Sequence, residues 1–241
     1  RDLHSFPTRR SSDLEPVGIL GHDVLIPLQY IAKVSAQLKF YSEKLSKETT
    51  LESLSEISTT ASQLQFFGES LIHWIKLQTN EYNPVMEKFQ VSKTVNDIID
   101  SHHLLLIEKG NIICNDVYPD LFFLQDATLV KIILHNLLRN ANKFTSGGKI
   151  TISAAAPEGD WLIVRIQDDG KGMSQDKVIS LNNLQPIISS EGTNMEAGWG
   201  MGYVLIIDLL KISKGTLHIE SKENKGSLVI VKLPSMKQTP D

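Results

Sequence analysis

The sequence predicts two domains of different classes, an all-α helical hairpin followed by an α+β sandwich. In residues 15–80, apolar side chains recur every three or four positions along two long runs, which is the period of one helix face. In residues 89–236, short strand-like runs alternate with shorter amphipathic runs, which favours helices packed on one face of a mixed sheet. Residues 81–88 are the predicted linker, and residues 237–241 are a predicted tail.

The composition limits the classes of protein that remain. The 241 residues carry a formal net charge of −4 with no long run of one sign, so we expect no nucleic-acid partner. The single cysteine, Cys114, excludes an internal disulfide and fits a reducing compartment. No apolar run approaches the roughly 20 residues that span a bilayer. We therefore expect no membrane segment here and a cytoplasmic location for this region.

The first fourteen residues differ from the rest of the chain. They show neither helical nor strand periodicity, and they resemble one reading frame of a common sequencing adapter translated into protein. We therefore predict a non-native leader at residues 1–14 and exclude it from the fold, the alternative being a natural flexible leader. A non-native leader implies that upstream sequence is missing, which leaves membrane anchoring of the intact protein open.

Two apolar stripes define the predicted hairpin. Residues 46–50 between them are few and polar, so the helices should fold back antiparallel. One hairpin cannot enclose its own apolar faces, and pairing two hairpins into a four-helix bundle would do so, which predicts a homodimer. The first stripe comprises Val17, Leu20, Val24, Leu28, Ile31, Val34, Leu38, Tyr41 and Leu45, and the second comprises Leu51, Leu54, Ile57, Ala61, Leu64, Phe67, Leu71 and Trp74.

The second domain is predicted element by element from its periodicity. Ser92 has the position of a helix cap, and another helix should start near Asp126. Turn-forming residues at 157–160 and 223–226 would close two strand hairpins. The predicted strands are residues 89–91, 111–117, 150–154, 162–167, 216–221 and 227–233, and a last helix is predicted over residues 201–212.

A first candidate binding motif lies on the helix that starts near Asp126. Asn136 and Asn140 are four residues apart and project from the same helix face. Asparagine amide oxygens are hard ligands suited to Mg²⁺, and Lys143, one turn beyond Asn140, can reach a phosphate. An ordinary polar helix face is the alternative interpretation.

A second candidate motif, DDGKGM from Asp168, directly follows an apolar strand. Gly170 and Gly172 permit a close backbone approach to a ligand, and Asp168 can accept a hydrogen bond from an adenine amino group. A simple surface turn is the alternative, because Asp-Gly is a common turn pair.

The third candidate motif is a set of alternating glycines, Gly198, Gly200 and Gly202, that opens the next helix. Flexible backbone amides at a helix N-terminus form a natural phosphate site. The spacing matches neither the dinucleotide fingerprint nor a Walker loop. The residues between the second and third motifs are predicted to form a mobile lid. The order of the three motifs together predicts a nucleotide site, although each is weak alone.

A histidine beside a carboxylate lies early in the first helix. His22 and Asp23 fall off the apolar stripe, so the imidazole is expected on an exposed face. Such a pair is either a nucleophile or ordinary surface, and the nucleotide motifs favour the first interpretation.

Taken together, these motifs resemble the transmitter region of sensor histidine kinases over roughly residues 15–234. His22 and Asp23, followed by Pro27 and Leu28, resemble the phospho-acceptor box of that family. Residues 136–145, 168–173 and 198–202 resemble its asparagine box and two glycine boxes. The last three mark the Bergerat, or GHKL-type, ATP-binding fold that is shared with gyrase-type topoisomerases.

The resemblance implies a role for each motif residue. Asn140, with Asn136, would hold Mg²⁺, Lys143 would contact phosphate, and Phe144 would pack near the base or ribose of ATP. Asp168 would recognise the adenine amino group. The glycines that would shape the lid and phosphate site are Gly170, Gly172, Gly198, Gly200 and Gly202.

The resemblance also implies a reaction. His22 would take the γ-phosphoryl group of ATP and pass it to an aspartate on a response-regulator receiver domain. Asp23 would bond the other ring nitrogen and fix the tautomer. Ile26 stands where the family often has a threonine or asparagine that places a hydrolytic water, so we expect weak phosphatase activity.

Other functions stay open at this point. Trp199, Met201 and Tyr203 replace the smaller or aliphatic residues usual around the third motif, which leaves the lid's conformation open. A non-catalytic GHKL-type ATP-binding module that only switches conformation is one alternative. A serine-directed protein kinase of the same ATP fold is another, but it would not need the hairpin that carries His22.

Overall fold

The computed structural model describes residues 15–41, 44–79, 82–156, 160–185 and 201–235, without the side chains of residues 15–23, 63, 74, 77, 78 and 201. The chain divides into two compact units, Arg1–Glu69 and Ser70–Asp241. Within the described ranges, none of the helices combines the length and apolar character that a membrane span requires.

The described part of the first unit consists of two long helices, α1 (Glu15–Tyr41) and most of α2 (Lys47–Gln78). A hydrogen bond of 2.7 Å from Tyr30 Oη to Glu56 Oε2 joins one helix to the other. Ser46 Oγ accepts from Thr49 N at 3.0 Å and so caps the start of α2. The prediction that residues 47–50 belong to the connection is therefore wrong: once Ser46 caps, these residues form the first turn of the helix.

The two helices leave apolar side chains on their surface. Val34 and Phe67 are buried, whereas Leu28, Leu51 and Leu54 of the predicted stripes are between 45% and 57% exposed. Apolar surface of this extent on a helical pair is the kind that a further helix covers in a bundle.

The second unit contains two sheets. In the small sheet, β1 (Met86–Gln90) pairs antiparallel with β3 (Phe122–Asp126). The large sheet has the strand order β2-β4-β5-β7-β6, in which only β2 and β4 are parallel among the described strands. Its strands are β2 (Ile112–Asn115), β4 (Lys149–Ala155), β5 (Trp161–Asp168), β6 (Thr216–Ser221) and β7 (Ser227–Pro234).

Among the described residues, five helices or helical segments accompany these sheets. They are α3 (Val91–Ser101), α4 (His103–Glu108), α5 (Ala127–Phe144), α6 (Gln175–Asn182) and α7 (Met201–Ser213). The mixed sheet and the helices predicted near residues 126 and 201 are confirmed. The carboxylate of Asp126 caps α5, because Oδ1 accepts from Thr128 N at 2.9 Å and Leu129 N at 3.1 Å.

The described structure of the second unit differs from the local predictions at one point and adds two elements that were not predicted. Ser92 lies inside the first turn of α3, which starts one residue earlier because the side chain of Val91 is fully buried. The strand β3 escaped prediction, since three apolar residues just before a helix cap show no alternation. The helix α6 lies within the segment predicted to be a lid, where only two buried side chains, Val178 and Leu181, mark it.

The core of the second unit lies between the large sheet and the helices α5 and α7. Alternate residues of β5 are buried, beginning at Leu162 and ending at Asp168. Against this face pack buried side chains of both helices, among them Ile133, Leu138, Ile206 and Leu210. One face of the sheet therefore carries the helices, as predicted.

A pair of buried histidines lies between the α3–α4 junction and α5. The ring centroids of His102 and His135 are 4.2 Å apart. Burial, aided by the positive charge of Arg139, lowers the pKa of His102 to about 4. Burial also lowers the pKa of His135 to about 2, with His102 and Arg139 acting in the same direction. Both rings are therefore neutral in the folded protein near neutral pH.

We expect the free energy of unfolding to fall as the pH drops from about 6.5 towards 4. An unfolded histidine takes up a proton near pH 6.5, whereas folded His102 stays neutral to about pH 4, so acid favours unfolding. The slope for one proton is about 1.4 kcal/mol per pH unit. Urea unfolding at several pH values should show a shallower slope for His102→Phe, and an unchanged slope for the matched variant at the exposed neighbour, His103→Phe. Equal slopes for His102→Phe and the unaltered chain would contradict this account.

Candidate nucleotide-binding site

A cavity of about 120 Å³ opens at one end of the second unit, where three sets of elements meet. Its walls come from the C-terminal half of α5, from the adjoining ends of β5 and β7 with the loop after β5, and from α6 and the start of α7. This space is larger than a single water molecule or ion needs.

Asp168 reaches this cavity because of the alternation along β5. Leu162, Val164 and Ile166 are buried on the helix-covered face, and two residues further the same face receives Asp168 at the end of the strand. In the adjacent strand β7, Ser227 lies opposite Asp168 in the register. The carboxylate is thus placed on the apolar side of the sheet, where the strands stop and the cavity begins.

The environment of Asp168 raises the pKa of its carboxyl group to about 6. Burial is the main cause, and the neighbouring charge of Asp169 acts in the same direction. Two backbone hydrogen bonds, from Gly170 N to Oδ1 at 3.0 Å and from Ser227, oppose the rise. Asp168 is therefore a partly desolvated acceptor, which is suited to a hydrogen-bond donor that enters the cavity.

The loop after β5 is packed against the end of α5. Gly170 lies so close to the Phe144 carbonyl that a Cβ atom there would clash with it, and Lys171 N donates to the same oxygen at 2.9 Å. Gly172, which lines the cavity, has a φ of +65°, a conformation that side-chain-bearing residues rarely adopt. The two glycines predicted in this motif thus meet separate needs, a close approach and a left-handed turn.

The C-terminal half of α5 supplies a second wall. Leu137, Asn140, Ala141 and Phe144 line the cavity, at the spacing of one helix face. The Asn140 side chain lies near enough to the Tyr203 hydroxyl to counteract part of the rise in its pKa. Its buried Nδ2 nevertheless completes no hydrogen bond of normal geometry with the described residues. An unsatisfied amide facing a cavity is a candidate ligand contact.

Two other predicted residues of α5 lie beside the cavity without lining it. Asn136 is 2% exposed and donates from Nδ2 to the Ile132 carbonyl at 2.8 Å. Its Oδ1 faces the backbone of Gly202 in the first turn of α7. Lys143 is mostly buried, and its Nζ lies 5.2 Å from the centre of the Phe144 ring. The two predicted asparagines therefore have different neighbours: Asn140 lines the cavity, and Asn136 lies against α7.

The remaining predicted site residues lie outside what can be described. The backbone of His22 and Asp23 belongs to α1, but their side chains are not among the described ones. Gly198 and Gly200 lie outside the described residues altogether. Their roles stay predictions.

Several cavity residues were missed by sequence reasoning. Lys177 on α6 lines the cavity, and its Nζ lies 5.2 Å from the centre of the Phe144 ring; burial lowers its pKa. Tyr203, noted in the sequence only as a substitution, lines the cavity too, and burial followed by the charge of Asp168 raises its pKa. Ser227 starts a predicted strand, but its place opposite Asp168 depends on the pairing of β5 with β7, which no local pattern gives. No pattern marked Lys177, because α6 itself was not predicted.

Comparison with known proteins agrees with this geometry. Residues 125–237 match the family model of histidine kinase-, DNA gyrase B-, and HSP90-like ATPases. An uncharacterized sensor-like histidine kinase from Rhizobium meliloti strain 1021 is 28% identical over 221 residues, which cover 90% of this chain and 42% of that protein. This match and this relative make the chain similar to sensor histidine kinases over most of its length. It spans less than half the length of that relative.

Solved structures share the fold of this chain. Full-length ShkA in complex with AMPPNP aligns with a TM-score of 0.61 and 17% identity, over 91% of this chain and 46% of that one. The histidine kinase ThkA, in complex with the response regulator protein TrrA, aligns with a TM-score of 0.56 and 18% identity. That alignment covers 95% of this chain and 64% of the other.

The residues of the cavity fit an adenine nucleotide with a divalent cation. Asp168 is an acceptor on the apolar side of the cavity, which suits the exocyclic amino group of adenine. Lys171 and Lys177 line the cavity and favour a polyanion. The amide of Asn140, with its unsatisfied nitrogen, also carries the type of oxygen ligand that Mg²⁺ accepts.

We expect Asp168→Asn to stabilise the ligand-free fold while weakening adenine binding. In the folded chain the pKa of Asp168 is raised from 3.8 to about 6, so its ionisation disfavours folding between those pH values and above. Removing the charge at pH 7.5 should add about 1–3 kcal/mol to the free energy of unfolding. Calorimetry should show the higher melting temperature, and titration with adenosine should show the lost affinity. A melting temperature that falls would contradict the assigned environment, and unchanged adenosine affinity would contradict the assigned contact.

Proposed function

We propose that this chain is the catalytic transmitter of an ATP-dependent protein-histidine kinase, and that it acts in the cytoplasm within a two-component system. The observation that carries the proposal is the meeting of Asp168, Phe144 and Asn140 around one cavity. The family match over residues 125–237 and a relative named as a sensor-like histidine kinase support it. The complex of ShkA with AMPPNP supports ATP as the nucleotide.

The proposed reaction has two phosphoryl transfers. A neutral ring nitrogen of His22 attacks the γ-phosphorus of ATP, so an N–P bond forms as the bond to the β-phosphate oxygen breaks and ADP leaves. Asp23 accepts a hydrogen bond from the other ring nitrogen and stabilises its positive charge. A carboxylate oxygen on a receiver domain then attacks the phosphorus, which restores neutral His22. The complex of ThkA with its response regulator supports this class of partner.

Each cavity residue contributes binding or orientation to that reaction. Asp168 would hold the adenine amino group, Phe144 would pack on the base or ribose, and Lys143 would contact phosphate. Lys177 and Lys171 would add positive charge near the nucleotide. Mg²⁺, held through Asn140 with Asn136 nearby, would neutralise phosphate charge when bound.

The proposed protein works as a homodimer. The exposed Leu28, Leu51 and Leu54 in the first unit support it, because a second hairpin would remove this apolar surface from water. In that arrangement α1 and α2 of two subunits would form the four-helix bundle that presents His22.

A non-catalytic ATP-binding switch is the second candidate. Tyr203 favours it, because a phenol ring takes up space in the cavity where the family usually has a smaller or aliphatic residue. A switch would bind ATP through the same residues and would need no phosphorylated histidine. Labelling of His22 separates the two candidates.

We expect the chain to label itself when incubated with Mg²⁺ and ATP that carries a radioactive γ-phosphate. The label should resist base and be released by acid, which is the behaviour of a phosphoramidate. His22→Gln should abolish labelling without changing ATP affinity, because the substitution lies in α1 and leaves the cavity residues in place.

A matched variant tests the other half of the proposal. Asn140→Ala should weaken ATP binding and reduce labelling, by about tenfold or more for one lost ligand contact in a phosphate site. Label that persists in His22→Gln would refute the histidine assignment. Tight ATP binding with no label in the unaltered chain would favour the switch.

We also expect weak dephosphorylation of the phosphorylated response regulator. Ile26 is exposed on α1, four residues after His22, and its side chain offers no group to orient a water molecule. Ile26→Thr should speed the release of phosphate from the regulator, whereas Ile26→Val should not. Measuring inorganic phosphate over time gives the rates, and fast release by the unaltered chain would contradict the prediction.

A further inference from the structure

A buried lysine outside the predicted motifs holds the end of α5. Lys109, which follows α4, is 8% exposed. Its Nζ donates to the carbonyl of Asn142 at 3.0 Å and to that of Lys143 at 2.8 Å. These carbonyls belong to the last turn of α5, where carbonyl groups lack partners within the helix and carry the negative end of its dipole. A single ammonium group thus satisfies two of them.

Asn111, two residues after Lys109, also forms hydrogen bonds with the end of α5. Asn111 Nδ2 donates to Asn142 Oδ1 at 2.7 Å and to the Thr145 carbonyl at 3.0 Å, and Asn111 Oδ1 accepts from Gly148 N at 3.1 Å. Asn111 and Asn142 are both buried, so these bonds form away from water. Lys109 and Asn111 together fix the point at which α5 ends and the chain leaves for β4.

The C-terminal part of α5, which Lys109 and Asn111 hold in place, carries the side chains that line the cavity. Asn140 and Phe144 line the cavity from it, and Lys143 lies between them along the chain. Its last carbonyl, that of Phe144, accepts from Lys171 N in the loop that follows Asp168. The position of this turn therefore sets where the α5 residues stand relative to Asp168 on the sheet.

We propose that Lys109 is a positioning residue for nucleotide binding, which acts through the C-terminal carbonyls of α5 and touches no ligand itself. This inference rests on the proposed function in taking ATP as the ligand. Without the ammonium group the last turn loses two charge-assisted hydrogen bonds and can loosen. Lys143 and Phe144 then no longer stand at the distance from Asp168 that one nucleotide spans.

The effect should depend on which part of the ligand is present. Asp168 belongs to β5, so the adenine contact that it supplies survives a loosened helix end, and adenosine loses only the packing that Phe144 would supply. The phosphate contact that Lys143 would supply is lost when the helix end loosens. We therefore expect Lys109→Met, which keeps the length and apolar stem, to raise the Kd for ATP about tenfold and the Kd for adenosine less than about threefold.

The experiment is isothermal titration of the full chain with ATP and with adenosine, in the presence of Mg²⁺, for three variants. Lys109→Arg can still donate to both carbonyls, so it should restore the ratio of the two Kd values. Lys131→Met is the matched control. Lys131 lies on α5 itself, its side chain is exposed, and its ion-pair partner is Asp97 at 3.8 Å. That variant should bind both ligands as the unaltered chain does.

Specific results would overturn the inference. An equal loss for ATP and adenosine in Lys109→Met would mean a general structural role, and no loss for ATP would mean no role. If Lys109→Met does not fold, Asn111→Ala takes its place, since Asn111 bonds the same turn, and an unchanged ratio there refutes the inference. An unaltered chain that binds no ATP would instead refute the proposed function.

Discussion

The cavity depends on one junction, where the loop after β5 meets the last turn of α5. The hydrogen bond from Lys171 N to the Phe144 carbonyl joins the two at 2.9 Å, and the absence of a side chain at Gly170 allows the approach. Asp168 lies at this junction at the end of β5, and Asn140 and Phe144 reach it from α5. Because each element brings only part of the site, recognition of a whole nucleotide requires that their relative position be held to within a fraction of an ångström.

Local patterns predicted the parts of the site that a single element fixes. The alternation of β5 ends on Asp168, helical periodicity places Asn140 on α5, and the cap at Asp126 starts that helix. Phe144 was implied only by the family resemblance. The parts that depend on tertiary packing escaped prediction. Lys177 enters the cavity because α6 is anchored to β6, where the Asn182 side chain bonds the backbone of Ile219 twice, at 2.7 and 3.0 Å. No periodicity in the sequence encodes such a contact.

Asn136 shows that tertiary packing also limits prediction within a motif that was recognised in the sequence. Spacing alone placed Asn136 and Asn140 on one face of α5. In the folded unit, the approach of α7 covers Asn136, whose amide then bonds its own helix, while Asn140 stays at the cavity. Helical periodicity predicts which side chains share a helix face. Whether such a side chain reaches a cavity or another helix depends on the element that packs beside it.

The parallel pairing of β2 with β4 has a consequence for how the second unit forms and varies. A parallel pair needs a crossover, and here the crossover contains β3 and α5, so the helix that lines the cavity is also part of the connection between two sheet strands. Lengthening that helix by one residue would rotate its ligand face and displace the strand that follows. The crossover should therefore keep a fixed length. Because such pairing joins distant parts of the chain, the cavity should also be among the last features to form during folding.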